Sequence, residues 1–361
     1  MLIPLAAALL AAATTDPACH ALTEAQLQQP VTLDAPCYRI DQFAIVHAPV
    51  TVRAGTTVVF GAGAGLVLDE GGSLDARGTA EAPVTFRGLE AAPGYWEGLQ
   101  FNSSSPRNVL SHAVVQDGDS SKSTDSGVVV VGVGARLAID HTTIRNTEGH
   151  GLNVLQRGVL AGFAANRFEH TGWPLAVKAT DLPALDAASR FQDNRHDMVQ
   201  VRFADDTVTD DATWHALAVP YFFLCSPGIE AHVDIEAGAR LVFSSDRGLK
   251  TGGDGSLAIN GTADRPVTLT GAEQAPGYWD GITFDSHSPR NRLQHARVTY
   301  AGQAGGVAGG GVGLFPGATA TVRDSEIAYS AGAAIKVGQR AGLQASGNHL
   351  HDNHAGIVHD D

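Results

Sequence analysis

The 361-residue chain contains 42 glycines, 43% hydrophobic residues, only 17% charged residues and a net charge of −14. So little charge excludes a disordered acidic segment or a coiled coil, and glycine without a three-residue period excludes collagen. The negative field disfavours nucleic acid, acidic lipid and polyanionic substrates as partners.

In chain order, the apolar run LIPLAAALLAAA from Leu2 to Ala13 is too short to span a bilayer. It suits the central part of a secretory signal, cleaved near residues 13–14 or before Cys19, so residues 1–18 are expected to be a leader. The expected location is then the periplasm, the cell surface or the exterior. A lipid anchor on Cys19 is disfavoured, because Asp16 and Pro17 stand where a lipobox has leucine and a small residue. No later segment reaches transmembrane length. Cys19 and Cys37 are candidates for a disulfide, Cys225 for a buried thiol, and no cysteine spacing suits zinc or a redox pair. Residues 22–29 (LTEAQLQQ) predict a short helix that covers the exposed strand edges of the first structural layer.

From there on the signal is strand. Short alternating runs at Val50–Arg53, Thr57–Phe60, Leu66–Leu68, Val84–Arg87 and Leu99–Phe101 end at or near Gly, Pro, Asn or Asp. Without sustained helical periodicity, βαβ folds and the TIM barrel are excluded. The chain is also duplicated. Residues 72–113 and 255–296 share 26 identities in 42 positions at a constant offset of 183. The same offset relates Gly55 and Phe60 to Gly238 and Phe243, and Gln156-Arg157 to Gln339-Arg340. The first copy is expected over 19–215 and the second over 216–361, continuous and without a flexible linker.

Type I′ turn dipeptides are scarce, while G-T-A-x-x-P and S-P-R-N segments recur with abundant asparagine. That pattern predicts an all-β fold, a single right-handed parallel β-helix of about 12–15 coils, roughly 60–70 Å long. Asparagine suits the coil corners, where it tolerates left-handed backbone and bonds the next coil. In Gly78-Thr79-Ala80…Pro83-Val84-Thr85-Phe86, Pro93-Gly94-Tyr95-Trp96-Glu97-Gly98 and Ser105-Pro106-Arg107-Asn108, with their second-copy counterparts, the chain resembles bacterial secreted right-handed parallel β-helix repeat proteins of the pectin lyase-like fold. The resemblance implies the fold. It leaves the activity open, because that superfamily holds lyases, hydrolases, epimerases and adhesins.

Four candidate sites follow. Asp205-Asp206 and Asp210-Asp211 are the acidic pairs that a calcium-dependent lyase would need. They lack a glycine-punctuated ligand loop, and a solvated loop is the simpler account. Asn146-Thr147-Glu148-Gly149-His150-Gly151 is similar to two hydrolase motifs, N-T-D and G-H-G, fused together. The accompanying D-D and R-I-K elements are missing, so a corner asparagine and a glycine turn suffice. His349, His351, His354 and His359 offer metal ligands, with His349 and His351 on one strand face. Finally Tyr95, Trp96 and Arg107, repeated as Tyr278, Trp279 and Arg290, are carbohydrate-binding candidates that would present two similar sites along one face; the alternative is that each Trp packs over Gly98 or Gly281. With no complete catalytic set, the chain reads as an exported non-enzymatic scaffold binding glycan or another surface component, without a cofactor. The rival is a polysaccharide-active enzyme, whether lyase, epimerase or glycoside hydrolase.

Overall fold

Each short run in the sequence pairs in register with the run one coil later. Leu66 lies beside Leu99, Leu99 beside Val129, and Val50 beside Leu74, all in parallel strands. The computed structural model describes residues 19–121, 123–203, 207–303 and 309–360. The expected leader and the pair Asp205-Asp206 lie outside the described residues. Five parallel sheets result. Sheet I has eight strands, from His20–Ala21 to Arg190–Gln192, and sheet II has thirteen, from Phe43–Val46 to His349–His351. Three sheets have six strands each: sheet III from Val31–Leu33 to Val159–Ala164, sheet IV from Ala212–Trp214 to Gly342–Ser346, and sheet V from Gly228–Ile229 to Ala355–His359. The chain winds through I, II and III in the first half and through IV, II and V in the second, as a right-handed parallel β-helix. Thirteen levels at ~4.8 Å each make a rod roughly 60 Å long, in line with the coil number expected.

Alternation sends every second side chain inward. On the inner face of sheet II, Leu66, Leu99, Val129, Leu152, Leu175, Val199, Tyr221, Leu241, Leu269, Val298 and Ile327 form one continuous column. All are buried. At about 1.5–3 kcal/mol for each fully buried aliphatic side chain, the stacked column outweighs any single contact along the rod.

The asparagines bridge coils as expected. Asn166 accepts from the Thr142 N–H (3.1 Å) and donates to the Ile139 carbonyl (3.2 Å). Asn348 does the same between Ser325 and Val322, and Asn353 between Ser330 and Ile327. The left-handed corners, however, belong mostly to other residues, among them His112, Asp117, Asp119, His141, Ala165 and His170, with Asn146 the one asparagine among the described non-glycine positions. The reason is geometric. An amide that must span two coils is needed beside the left-handed corner, which leaves the corner itself to other residues.

At the start of the rod, helix Glu24–Leu27 forms inside the expected 22–29, with the Thr23 N–H donating to Gln26 Oε1 at 2.9 Å. Leu27 is buried in the core, and Gln28 donates to the Ile45 carbonyl at 2.7 Å, so the helix covers the end of sheet II. Cys19 and Cys37 are joined by a disulfide that ties this cap to sheet I. Cys225 is buried with Sγ 3.7 Å from the Val201 carbonyl. Among the described residues no helix is long and apolar enough to cross a membrane.

The duplication does not translate straight along the rod. Strand Thr57–Phe60 belongs to sheet I, but its counterpart Arg240–Phe243 belongs to sheet II. Strand Gly65–Leu68 is in sheet II, while its counterpart Gly248–Thr251 is in sheet V. Between Gly65–Leu68 and Arg240–Phe243, sheet II advances seven strands, so 183 residues make seven coils and one third. Equivalent features of the two copies therefore face different directions.

Candidate functional site

The corner between strands Val84–Gly88 and Gly98–Phe101 holds the first aromatic pair. Trp96 has no exposed surface: its ring stacks on Phe60 at 4.0 Å and 9°, and Nε1 donates to the Gln116 carbonyl at 2.8 Å. Trp279 repeats this on Phe243 (4.3 Å, 4°) with the Thr299 carbonyl as acceptor. Neither ring has a free face for a sugar, so the sugar-stacking expectation is corrected: the tryptophans pack the corner. Tyr95 and Tyr278 are half-buried against the core. Arg107 and Arg290 are exposed beyond the far ends of strands Gly98–Phe101 and Gly281–Phe284, so each strand separates its arginine from the aromatic pair. The one-third turn also places the two corners on different faces, which corrects the expectation of two similar sites along one face.

Arg290 instead meets Asp211, at 3.5 Å. Asp211 also accepts the His232 N–H at 2.9 Å, which holds its carboxyl below the usual range. Asp211 is thus engaged in an ion pair and a backbone bond. Beside it, Ser256 Oγ lies 2.7 Å from His232 Nδ1, and His232 Nε2 lies 3.1 Å from Asp234 Oδ2. Ser256 is only 2% exposed, so this string ties adjacent coils and offers no accessible nucleophile. Sequence reading missed it because the three residues meet only when strands 24 residues apart are stacked in register. At the far end of sheet II, the rings of His349 and His351 lie 4.3 Å apart, but both nitrogens of His351 face carboxylates, Asp352 and Glu326.

The richest polar arrangement is in the first copy, where the serine-rich loop 117–128 joins Ala113–Gln116 to Val129–Val131. Its start is fixed by the Ser120 N–H donating to the Trp96 carbonyl (3.1 Å) and by Asn146 donating to Asp117 Oδ1 (2.6 Å). Its far end lies on the outer face of sheet II. There Asn153 donates to the Ser126 carbonyl (2.8 Å), and Arg202, two coils further on, holds the Thr124 carbonyl (2.6 Å) and Asp125 Oδ1 (2.8 Å).

Within this loop Asp119 is fully buried, with Oδ2 accepting the His150 N–H at 2.9 Å. Burial pushes its carboxyl up from 3.8 to about 6; contacts with Ser126 and the His150 amide oppose the rise, and Glu97 and Glu148 add to it. The His150 ring, with Nε2 3.0 Å from Gln200 Oε1, is held below the ordinary imidazole range chiefly by burial. Three buried side-chain oxygens here have no hydrogen-bond partner among the described residues: Asp119 Oδ1, Ser120 Oγ and Thr147 Oγ1. Native interiors leave few such atoms, so their grouping marks a place not optimised for stability alone. Beside them a cleft of about 330 Å³ is lined by Ser121, Ser123, Thr124, Ser126, Glu148, Gly149 and His150.

The second copy acts as an internal control. At the offset of 183, Asp119, Glu148 and His150 correspond to Gly302, Ala331 and Ala333. The same coil geometry therefore forms without these three ionisable groups. Glu148 and His150 lay inside the fused motif read from the sequence; Asp119 was visible only as a difference between the copies. Compared with protein-family models, with curated proteins and with solved structures, the chain matches none.

Proposed function

We propose that the chain is an exported β-helix scaffold, of the pectin lyase-like kind, that binds an uncharged glycan in the cleft between the serine-rich loop and Glu148–His150. The observation that carries this reading is the presence of Asp119, Glu148 and His150 where the second copy builds the same coil with Gly and Ala. Hydroxyl-rich walls with carboxylate acceptors match the donor-rich rim of a sugar, and the net charge of −14 favours a neutral polymer over a polyuronate. Export is supported by the apolar amino-terminal run and the Cys19–Cys37 disulfide. The test is retention on neutral polysaccharides by affinity electrophoresis. Glu148→Ala installs the residue the second copy uses, so it should abolish retention while the melting temperature stays unchanged. Equal retention by the variant would refute the site.

One observation favours a second, enzymatic reading. A carboxyl that keeps its proton to about pH 6 beside Glu97 and Glu148 resembles the unequal pair needed for general acid–base hydrolysis of a glycoside; since Asp119 has no exposed surface, Glu148 in the cleft wall would meet the substrate in this reading and Asp119 would act behind it. Release of new reducing ends from the same polysaccharides, or of unsaturated uronates with calcium present, would replace the binding-only reading.

A further inference from the structure

A second constellation lies on the corner between sheets III and I, away from the cleft and independent of its reading. The equivalent corner positions of four successive coils are Gly78, His112, His141 and Ala165, and the last three have left-handed backbone. His112 and His141 both sit at φ 47°, and their rings stack at 4.5 Å and 14°. Asp140 precedes the second histidine, with Oδ1 2.7 Å from Ser111 Oγ and 3.0 Å from His141 Nδ1. One ligand atom from each of His112, Asp140 and His141 falls within 4.8 Å of the others.

We propose that His112, Asp140 and His141 bind one divalent transition-metal ion of the zinc–nickel–copper type. Two imidazoles and a carboxylate form a borderline-soft donor set suited to these ions and poorly suited to calcium or magnesium. Tetrahedral coordination at ~2.0–2.2 Å sets donor atoms about 3.3 Å apart, so the two stacked rings would turn about their side-chain torsions to aim a nitrogen each at one ion. The coil repeat fixes the two histidine backbones one above the other, so both rings start from the same side of the corner. Ser111, by donating to Asp140, orients the carboxylate as a supporting group does in metal centres. His112 and Asp140 are half-buried and His141 is exposed, which leaves solvent access for the ion and for a water as fourth ligand.

Local packing accounts poorly for the same residues. Left-handed backbone does not itself call for histidine, since the next coil meets the same corner with Ala165 at φ 51°. The second copy again serves as a control. His112 is kept as His295, but Asp140 becomes Arg323 and His141 becomes Asp324, which places a fixed positive charge where the carboxylate stood. The whole chain should therefore take up one ion at this corner type, not two.

The experiment is titration of the metal-stripped full chain with Zn²⁺ and Ni²⁺ by calorimetry, alongside His112→Asn, His141→Asn and Asp140→Asn. Asparagine tolerates left-handed backbone, so these variants retain the corner. His349→Ala/His351→Ala serves as a control for the other histidine pair. The expected result is one tight site in the wild-type chain, affinity reduced at least tenfold in each corner variant, and a metal-induced rise in melting temperature that those variants lose. Tight binding that survives in His112→Asn but disappears in the control would overturn the proposal, as would the absence of a tight site in the wild type. Should a corner variant fold poorly, Co²⁺ absorption of the wild-type chain supplies the reading instead. Visible bands of a tetrahedral nitrogen–oxygen site support the assignment, and a spectrum of hexaaqua cobalt refutes it.

Discussion

Asp119 makes the stability of the rod depend on pH in a direction opposite to that of most carboxylates. Its carboxyl titrates at about 6 in the fold against 3.8 when free, so the folded state disfavours the ionised form. Below pH 3.8 both states hold the proton and the group costs nothing. The cost grows between 3.8 and 6 and is complete above 6. A gap of roughly 2.2 pH units at 1.36 kcal/mol each amounts to about 3 kcal/mol. Asp119→Asn removes the titration while keeping an oxygen for the His150 N–H. Its amide also places a donor at the site of the unpartnered oxygen, a penalty that is the same at every pH. Denaturant unfolding of both proteins at pH 3.5, 5 and 7.5 separates the two effects, since only the titration makes the difference between them move. The variant should gain about 3 kcal/mol on the wild type from pH 3.5 to 7.5, with most of the change between 4 and 6. A difference that stays constant across this range would refute the buried protonated carboxyl, and with it the basis of the enzymatic reading.

Two further outcomes follow from the packing. Trp96→Ala and Trp279→Ala each remove a fully buried ring stacked on a phenylalanine, and each should cost about 3–5 kcal/mol in unfolding free energy. A variant of unchanged stability would reopen a ligand role for that ring. Arg202→Ala removes the clamp on Thr124 and Asp125, so amides of loop 120–127 should exchange at least tenfold faster while the strands of sheet II keep their protection. Unaltered loop exchange would show that the bonds from Asn153 suffice.

The fold was legible because it is written in local terms. Two-residue alternation, turn residues and a 42-residue self-match specify stacked parallel strands, and bridging amides such as Asn166 and Asn348 follow from the same geometry. What the sequence concealed is rotational. A repeat of 183 residues says nothing about how many turns it makes until the coils are counted, and the extra third of a turn separates the two tryptophan corners that sequence alone placed on one face. Contacts between coils were hidden for the same reason. His112 and His141, or His232 and Ser256, are unremarkable 24 to 29 residues apart and become neighbours only through the register of their strands.

The duplication then does more than reveal the architecture. At Trp96 and Trp279, and at Asn108 and Asn291, both copies agree and the shared residue is buried and bonded between coils, so agreement there records what the coil requires. Where one copy carries an ionisable group and the other Gly or Ala, the coil has shown that it forms either way. Asp119 and His150 meet that condition while buried, which costs stability rather than adding it. Groups that the fold does not need, and that burden it, are retained for what they contact. The cleft beneath loop 117–128 therefore stands ahead of the exposed Arg107 and Arg290, which both copies share at a common turn.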